Sequence, residues 1–126
     1  MKIVSHKVAK LARKKEFNET VFAHYGDNGI LGWTSGKLNY PHNIGCAAPS
    51  LYSLQNWLLT THNIWVEPIL NFVPDTMDDY GFRVCIYTNI DQWNNVKWAT
   101  NKTCSKIYKS PWEALDEGLY QALLMI

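Results

Sequence analysis

The sequence contains no apolar run approaching the ~20 residues that a helix needs to cross a bilayer. Its start, MKIVSHKVAKLARKK, holds no apolar stretch of signal-peptide length. The expectation is an intracellular protein with no membrane partner. Cysteine is scarce: Cys46, Cys85 and Cys104 are far apart and odd in number, no CxxC occurs, and no histidine follows at metal-ligand spacing. That argues against a disulfide-stapled scaffold and a zinc ribbon, and reads the thiols as small buried apolar side chains. The sequons Asn18-Glu19-Thr20 and Asn101-Lys102-Thr103 carry no meaning in a reduced compartment. Neither charge sign dominates: 12 Lys and Arg against 11 Asp and Glu leave a net +1, so no global field demands an anionic partner. No GxSxG, HExxH, P-loop or Rossmann signature is present. No nucleophile stands out, and no cofactor or metal is expected. Repeats, low-complexity segments and linkers are also missing, so residues 1–126 read as a single domain. At 47% hydrophobic, a chain of this length can bury a core unaided.

The punctuation that is present divides the chain clearly. Ser5 is placed to cap a first helix over about 6 to 16, with Val8, Leu11 and Ala12 on one side and Lys7, Lys10, Arg13 and Lys14 on the other. From Thr20 the period becomes two: Val21, Ala23 and Tyr25 alternate with Phe22 and His24. GDNG (26–29) signals a turn, Ile30–Trp33 returns as a second strand, and TSGK (34–37) reads as another turn before a short extended piece through Tyr40. Pro49 and Ser50 open a second helix whose Leu51, Leu54 and Leu58 share a face, bordered by Trp57 and Leu59. Asn63 suits the left-handed residue that ends many helices, with Ile64 closing over the last turn and His62 placed to bond a free carbonyl there. Ile64, Val66, Leu70 and Phe72 alternate onto one face, and Pro68 among them indicates an edge strand or a bulge. Phe82, Val84 and Ile86 mark a further strand, and residues 96–99 and 104–108 read as one more hairpin with TNKT between them. The last helix carries Ser110, Pro111 and Glu113 in capping-box spacing; Leu115, Leu119, Ala122 and Ile126 form its buried stripe, with Trp112 and Leu123 beside it. Gly118 invites close approach of a strand. The expectation is an α+β fold in the order α-ββ-α-ββ(β)-α: an antiparallel sheet of about 4–5 strands with three helices packed mainly on one face.

Three segments resemble a group of small, uncharacterised proteins from phages and prophages of Bacteroides-like bacteria. The strongest is Cys46, Ala48-Pro49-Ser50, Ser53-Leu54, Trp57-Leu58 and His62-Asn63-Ile64; VAKLARKKEF (8–17) and WEALDEGLYQALLMI (112–126) are also similar to that group. About half the chain is covered, and roughly 70–108 is not. Where the group has Thr-Tyr-Glu-Glu-Ala before the last helix, this chain has Ser110-Pro111-Trp112-Glu113-Ala114, which keeps the capping chemistry. The resemblance implies a phage or prophage setting in a bacterial host cytoplasm and carries no mechanism.

Three constellations could carry function. Lys7, Lys10, Arg13 and Lys14 on the first helix, and Lys97, Trp98, Lys102 and Lys106 in an acid-free stretch, would form an anion-binding surface for nucleic acid or a nucleotide if they met. Tyr120 and Leu124 lie four apart on the polar side of the last helix, placed for a homo-oligomeric contact. Asp75, Asp78 and Asp79 crowd one loop without Ca²⁺-loop spacing, and His24, His42 and Cys46 could in principle build a nucleophile or metal site. The leading expectation is a non-catalytic protein–protein interaction module, an accessory protein binding an unknown host or phage protein. An anion-binding module is the alternative, and an enzyme with an unrecognised site the third reading.

Overall fold

The computed structural model describes residues 2–38, 45–72, 80–88, 100–103 and 106–126. The described residues hold three helices and six strands: α1 (His6–Lys14), β1 (Val21–Tyr25), β2 (Leu31–Leu38), β3 (Cys46–Ala47), α2 (Leu51–His62), β4 (Trp65–Phe72), β5 (Tyr80–Thr88), β6 (Thr100–Thr103) and α3 (Pro111–Leu124). The α+β class and the antiparallel pairing agree with the pattern in the sequence. The strands, however, form two sheets rather than one, in the orders β2-β1-β3 and β4-β5-β6.

α1 buries Val8, Ala9 and Ala12. It ends earlier than expected, in a Schellman turn: Glu16 takes φ 66°, the Glu16 N–H bonds the Arg13 carbonyl, and the Phe17 N–H bonds that of Ala12. Phe17 thereby folds back into the core. At the other end Ser5 occupies the cap position, but its hydroxyl caps nothing and is buried without a hydrogen-bond partner. Its backbone N–H instead donates to Asp116 Oδ1 at 2.7 Å, so a carboxylate from α3 serves the positive end of α1.

α2 follows its sequence signals. Ser50 Oγ accepts from the Ser53 N–H at 3.0 Å, Asn63 is left-handed at φ 57°, and the Asn63 and Ile64 N–H groups take the Leu59 and Leu58 carbonyls. In α3, Ser110 Oγ accepts from the Trp112 N–H at 3.1 Å, one residue short of the expected partner at Glu113. Gly118 sits at the contact with the second sheet. A Cβ there would lie 2.2 Å from Val84 Cγ2 and 2.7 Å from Val66 Cγ1, so only glycine permits this approach. α3 packs on β4, β5, α1 and α2, and the buried residues of both sheets and all three helices form one continuous cluster.

Four expectations about strands need correction. TSGK is no separate turn: β2 runs to Leu38, and the irregularity falls in its pairing, where β1 advances from Val21 to Ala23 while β2 spans Leu38 to Trp33. TNKT is itself β6, paired with Thr88–Cys85, because the open edge of β5 supplies a ladder that turn-like composition does not foretell. β3 was missed, being only two residues long, too short for a period to show. Leu70 is 61% exposed although it shares the period of the fully buried Val66; α3 covers the Val66 end of the hairpin through Gly118. Pro68 pairs in uninterrupted register at the sheet margin, so β4 is an edge strand and carries no bulge. Residues 96–99 and 104–105 of the expected second hairpin lie outside the described residues.

Candidate functional site

Most of the segment Cys46 to Ile64 is architecture. Cys46, Ala48, Leu54, Trp57, Leu58 and Ile64 are buried, and Ser50 and Asn63 are helix caps. His62 lies edge-on against Trp57 (4.8 Å between ring centroids), which in turn packs edge-on against Phe17 at 5.3 Å. Its Nε2 is buried with no hydrogen-bond partner, so the imidazole is held by ring packing rather than by the carbonyl bond expected of it. Cys46 and Tyr25 pair across β1 and β3, as do His24 and Ala47. Side chains alternate across a sheet, so Cys46 and His24 stand on opposite faces and cannot form a nucleophile–base pair. Burial pushes the Cys46 thiol up, against the opposing pull of Arg13 and Lys10, which further disfavours a thiolate. His42, Asp75, Asp78, Asp79 and Cys104 lie outside the described residues. Among the described residues no group of three His, Cys, Asp or Glu side chains could hold a metal ion. No described helix is long and apolar enough to cross a membrane.

The expected basic residues are split between two concavities. Lys7 and Lys106 do meet, in a shallow cleft of about 450 Å³ that Lys109 also lines, but Glu113, Asp116 and Glu117 line it too. Lys7 Nζ pairs with Glu117 Oε2 at 2.7 Å and lies 4.5 Å from the centre of the Tyr120 ring. Its hydrogen bond to Glu117 raises the Lys7 amine above its usual range, despite the opposing effect of burial. Burial pushes the Glu117 carboxyl up, yet the hydrogen bonds from Lys7 and Gln121 outweigh it and hold the group below its ordinary value. Lys106 lies 5.1 Å from the centre of the Tyr108 ring. Lys10, Arg13 and Lys14 line a different cleft of about 500 Å³, facing the GDNG turn. Lys102 lies on β6 opposite Ile86, and Lys97 and Trp98 fall outside the described residues. Of the two residues expected at an interface, Tyr120 is half-buried beneath Lys7, because α1 crosses that side of α3, while Leu124 is 53% exposed.

A third concavity, of about 650 Å³, combines segments that lie far apart in sequence. Thr20–Phe22 enters from β1, Ser50–Ser53 from the start of α2, and Trp112 and Leu115 from α3. Val21, Leu51 and Leu115 are almost fully buried beneath it. Phe22, Tyr52 and Trp112 stand around it at 41%, 73% and 49% exposure. Local geometry explains each position. Phe22 alternates with the buried Val21 and Ala23 on β1; Tyr52 follows the inward Leu51 in the first turn of α2; Trp112 follows Pro111 in the first turn of α3. The buried Gln55 also lines the groove, and its Nε2 donates to the Val66 carbonyl at 2.6 Å. Lys2 is the one charged residue among the described residues of the lining. Trp112 was expected beside the buried stripe of α3, but it stands half-exposed at the rim of this groove. The readable signal would have been three aromatics at outward positions, two of them, Phe22 and Tyr52, next to a buried neighbour. The chain matches no protein-family model, no curated protein and no solved structure.

Proposed function

We propose that this chain is a phage- or prophage-encoded accessory protein that works in the bacterial host cytoplasm by binding another protein, with no chemistry of its own. The observation that carries the reading is the groove whose apolar floor is ringed by Phe22, Tyr52 and Trp112. Large aromatic side chains are energetically costly to leave in water, and they dominate the centres of protein interfaces. The partner that fits is a protein segment offering an apolar anchor to Val21, Leu51 and Leu115, with a carboxylate placed for Lys2. The similarity of residues 8–17, 46–64 and 112–126 to the phage and prophage group supports the setting.

Affinity capture from infected or lysogenic cells tests this. The Tyr52→Ala, Trp112→Ala double variant should lose a co-purifying protein that the parent chain and Leu124→Glu both retain. The captured protein, once purified, should bind the parent chain with an affinity at least tenfold above that for the double variant. Equal capture by the parent and the double variant would remove the groove as the contact. Light scattering distinguishes a second copy: a dimer that Leu124→Glu dissociates, and that the double variant leaves intact, would move the contact to the end of α3.

A further inference from the structure

On the reading that the groove rimmed by Tyr52 and Trp112 binds another protein, we propose that the partner inserts a tryptophan side chain there, its indole N–H donating to Gln55 Oε1.

Gln55, on the second turn of α2, is 8% exposed and lines the groove. Its carboxamide is oriented by a contact with β4. The Val66 carbonyl can only accept, so the amide atom 2.6 Å from it is the donor, Nε2. That bond fixes which end of the amide faces β4 and which end is left over. The remaining end, Oε1, has no hydrogen-bond partner among the described residues. Nor is it one of the buried side-chain atoms sealed from solvent without a partner. Oε1 is thus an acceptor that solvent still reaches, on a side chain otherwise enclosed and lining the groove. An apolar group laid over it would strand it, and stranding a buried acceptor costs more than an ordinary hydrogen bond contributes. Whatever fills the groove must bring a donor.

The surroundings narrow the choice of donor. Val21, Leu51 and Leu115 give the groove an apolar floor. An ammonium or guanidinium group would supply a donor but would lose its hydration against that floor. A serine, threonine or asparagine side chain has the donor without the apolar body to cover the floor. An extended backbone would bring its N–H together with carbonyls that the floor cannot satisfy. A tyrosine hydroxyl donates and accepts, so its oxygen would need a further partner. The indole of tryptophan is a donor only, and it carries a large apolar body. Its ring also suits edge-to-face or offset packing on Tyr52 and Trp112. At about 650 Å³ the groove has room for the ring and for the chain that carries it.

Titration with two isomers, followed by nuclear magnetic resonance, tests the assignment. 3-Methylindole is the tryptophan side chain as a free molecule. 1-Methylindole has the same atoms with the methyl group on nitrogen, so it lacks the donor. The first should bind the parent saturably and shift the Leu51, Tyr52 and Gln55 resonances. It should bind roughly fivefold more tightly than the second, the factor expected of one hydrogen bond. In Gln55→Met, which keeps the side-chain length and lacks the acceptor, the two isomers should bind alike. Tyr52→Ala with Trp112→Ala should weaken both. The assignment is overturned if 3-methylindole does not saturate, or if the parent binds the two isomers equally; both comparisons use the parent chain alone. It is also overturned if light scattering shows a dimer that 3-methylindole dissociates, since the occupant is then a second copy. Partner capture separates the anchor from the groove. Loss of the captured protein in the Tyr52/Trp112 variant, without a preference between isomers, would keep the groove as the contact and remove tryptophan as its occupant. Equal capture by parent and variant, with the preference intact, would remove the protein partner and leave a site for a free indole.

Discussion

The two charged clefts flanking α1 begin from one helix and end with different mixtures of charge. On the side of Lys7, α3 contributes Glu113, Asp116 and Glu117, and the lysines are compensated. On the side of Lys10, Arg13 and Lys14, the neighbour is a glycine-containing turn and the Gly45 backbone, and Asp27 is the one carboxylate among the described lining residues. The helix alone would present its four cations on one polar face. What differs is the element packed against each side, so a count of lysines along a helix says little about the field it presents.

The contrast can be broken or sharpened in order of expected effect. The largest change should come from Gly118→Val, because α3 supplies the whole carboxylate wall and is seated by its contact with Val84 and Val66. Overpacking there should cost about 3 kcal/mol or more, read by chemical denaturation, whereas Leu124→Ala at the exposed end should cost almost nothing.

A second test removes the compensation without touching the core. Glu113→Gln with Glu117→Gln should make both sides of α1 basic. Oligonucleotide binding at low salt should then rise severalfold over the parent and fall steeply as salt is added. No increase would mean that the carboxylates do not set the field on that side.

The pH dependence of the Lys7–Glu117 pair is a smaller effect with a definite sign. Glu117 is held below its ordinary 4.5, so its contribution is present above that value and is lost as pH falls through the lower, folded one. Lys7 is raised above 10.5, so its contribution is present below that value and is lost as pH rises past the folded one. Lys7 is largely exposed, which limits the pair to roughly 0.5 kcal/mol. The fall in thermal midpoint between pH 7 and pH 3 should be slightly shallower in Glu117→Gln than in the parent.

A stabilising change is expected at Glu16, which takes φ 66° at the end of α1. Glu16→Gly should raise stability by up to about 1 kcal/mol, since glycine adopts this conformation without strain.

Features that depend on a few neighbouring residues were legible in the sequence. Ser50, Asn63 and Ser110 act within a turn of their own helix, and the requirement for a small residue at Gly118 follows from its place on the buried side of α3. Features that depend on a distant partner were not. TNKT has turn composition and becomes a strand because β5 offers an edge. Ser5 has capping chemistry and is relieved of it by Asp116, 111 positions away. The groove was invisible for the same reason: Phe22, Tyr52 and Trp112 each look like an ordinary outward residue until β1, α2 and α3 bring them together.

By itself the sequence determined the helices, the caps of α2 and α3 and the period of the principal strands, because these rest on backbone sterics and on apolar spacing within one or two turns. Only the tertiary structure decided that the strands form two sheets, that Lys7 is compensated while Lys10, Arg13 and Lys14 gather in a cleft, and that three aromatics surround one groove. Charge and apolar exposure at a surface belong to whatever side chains end up adjacent in space, and adjacency between distant segments is set by how the single core packs.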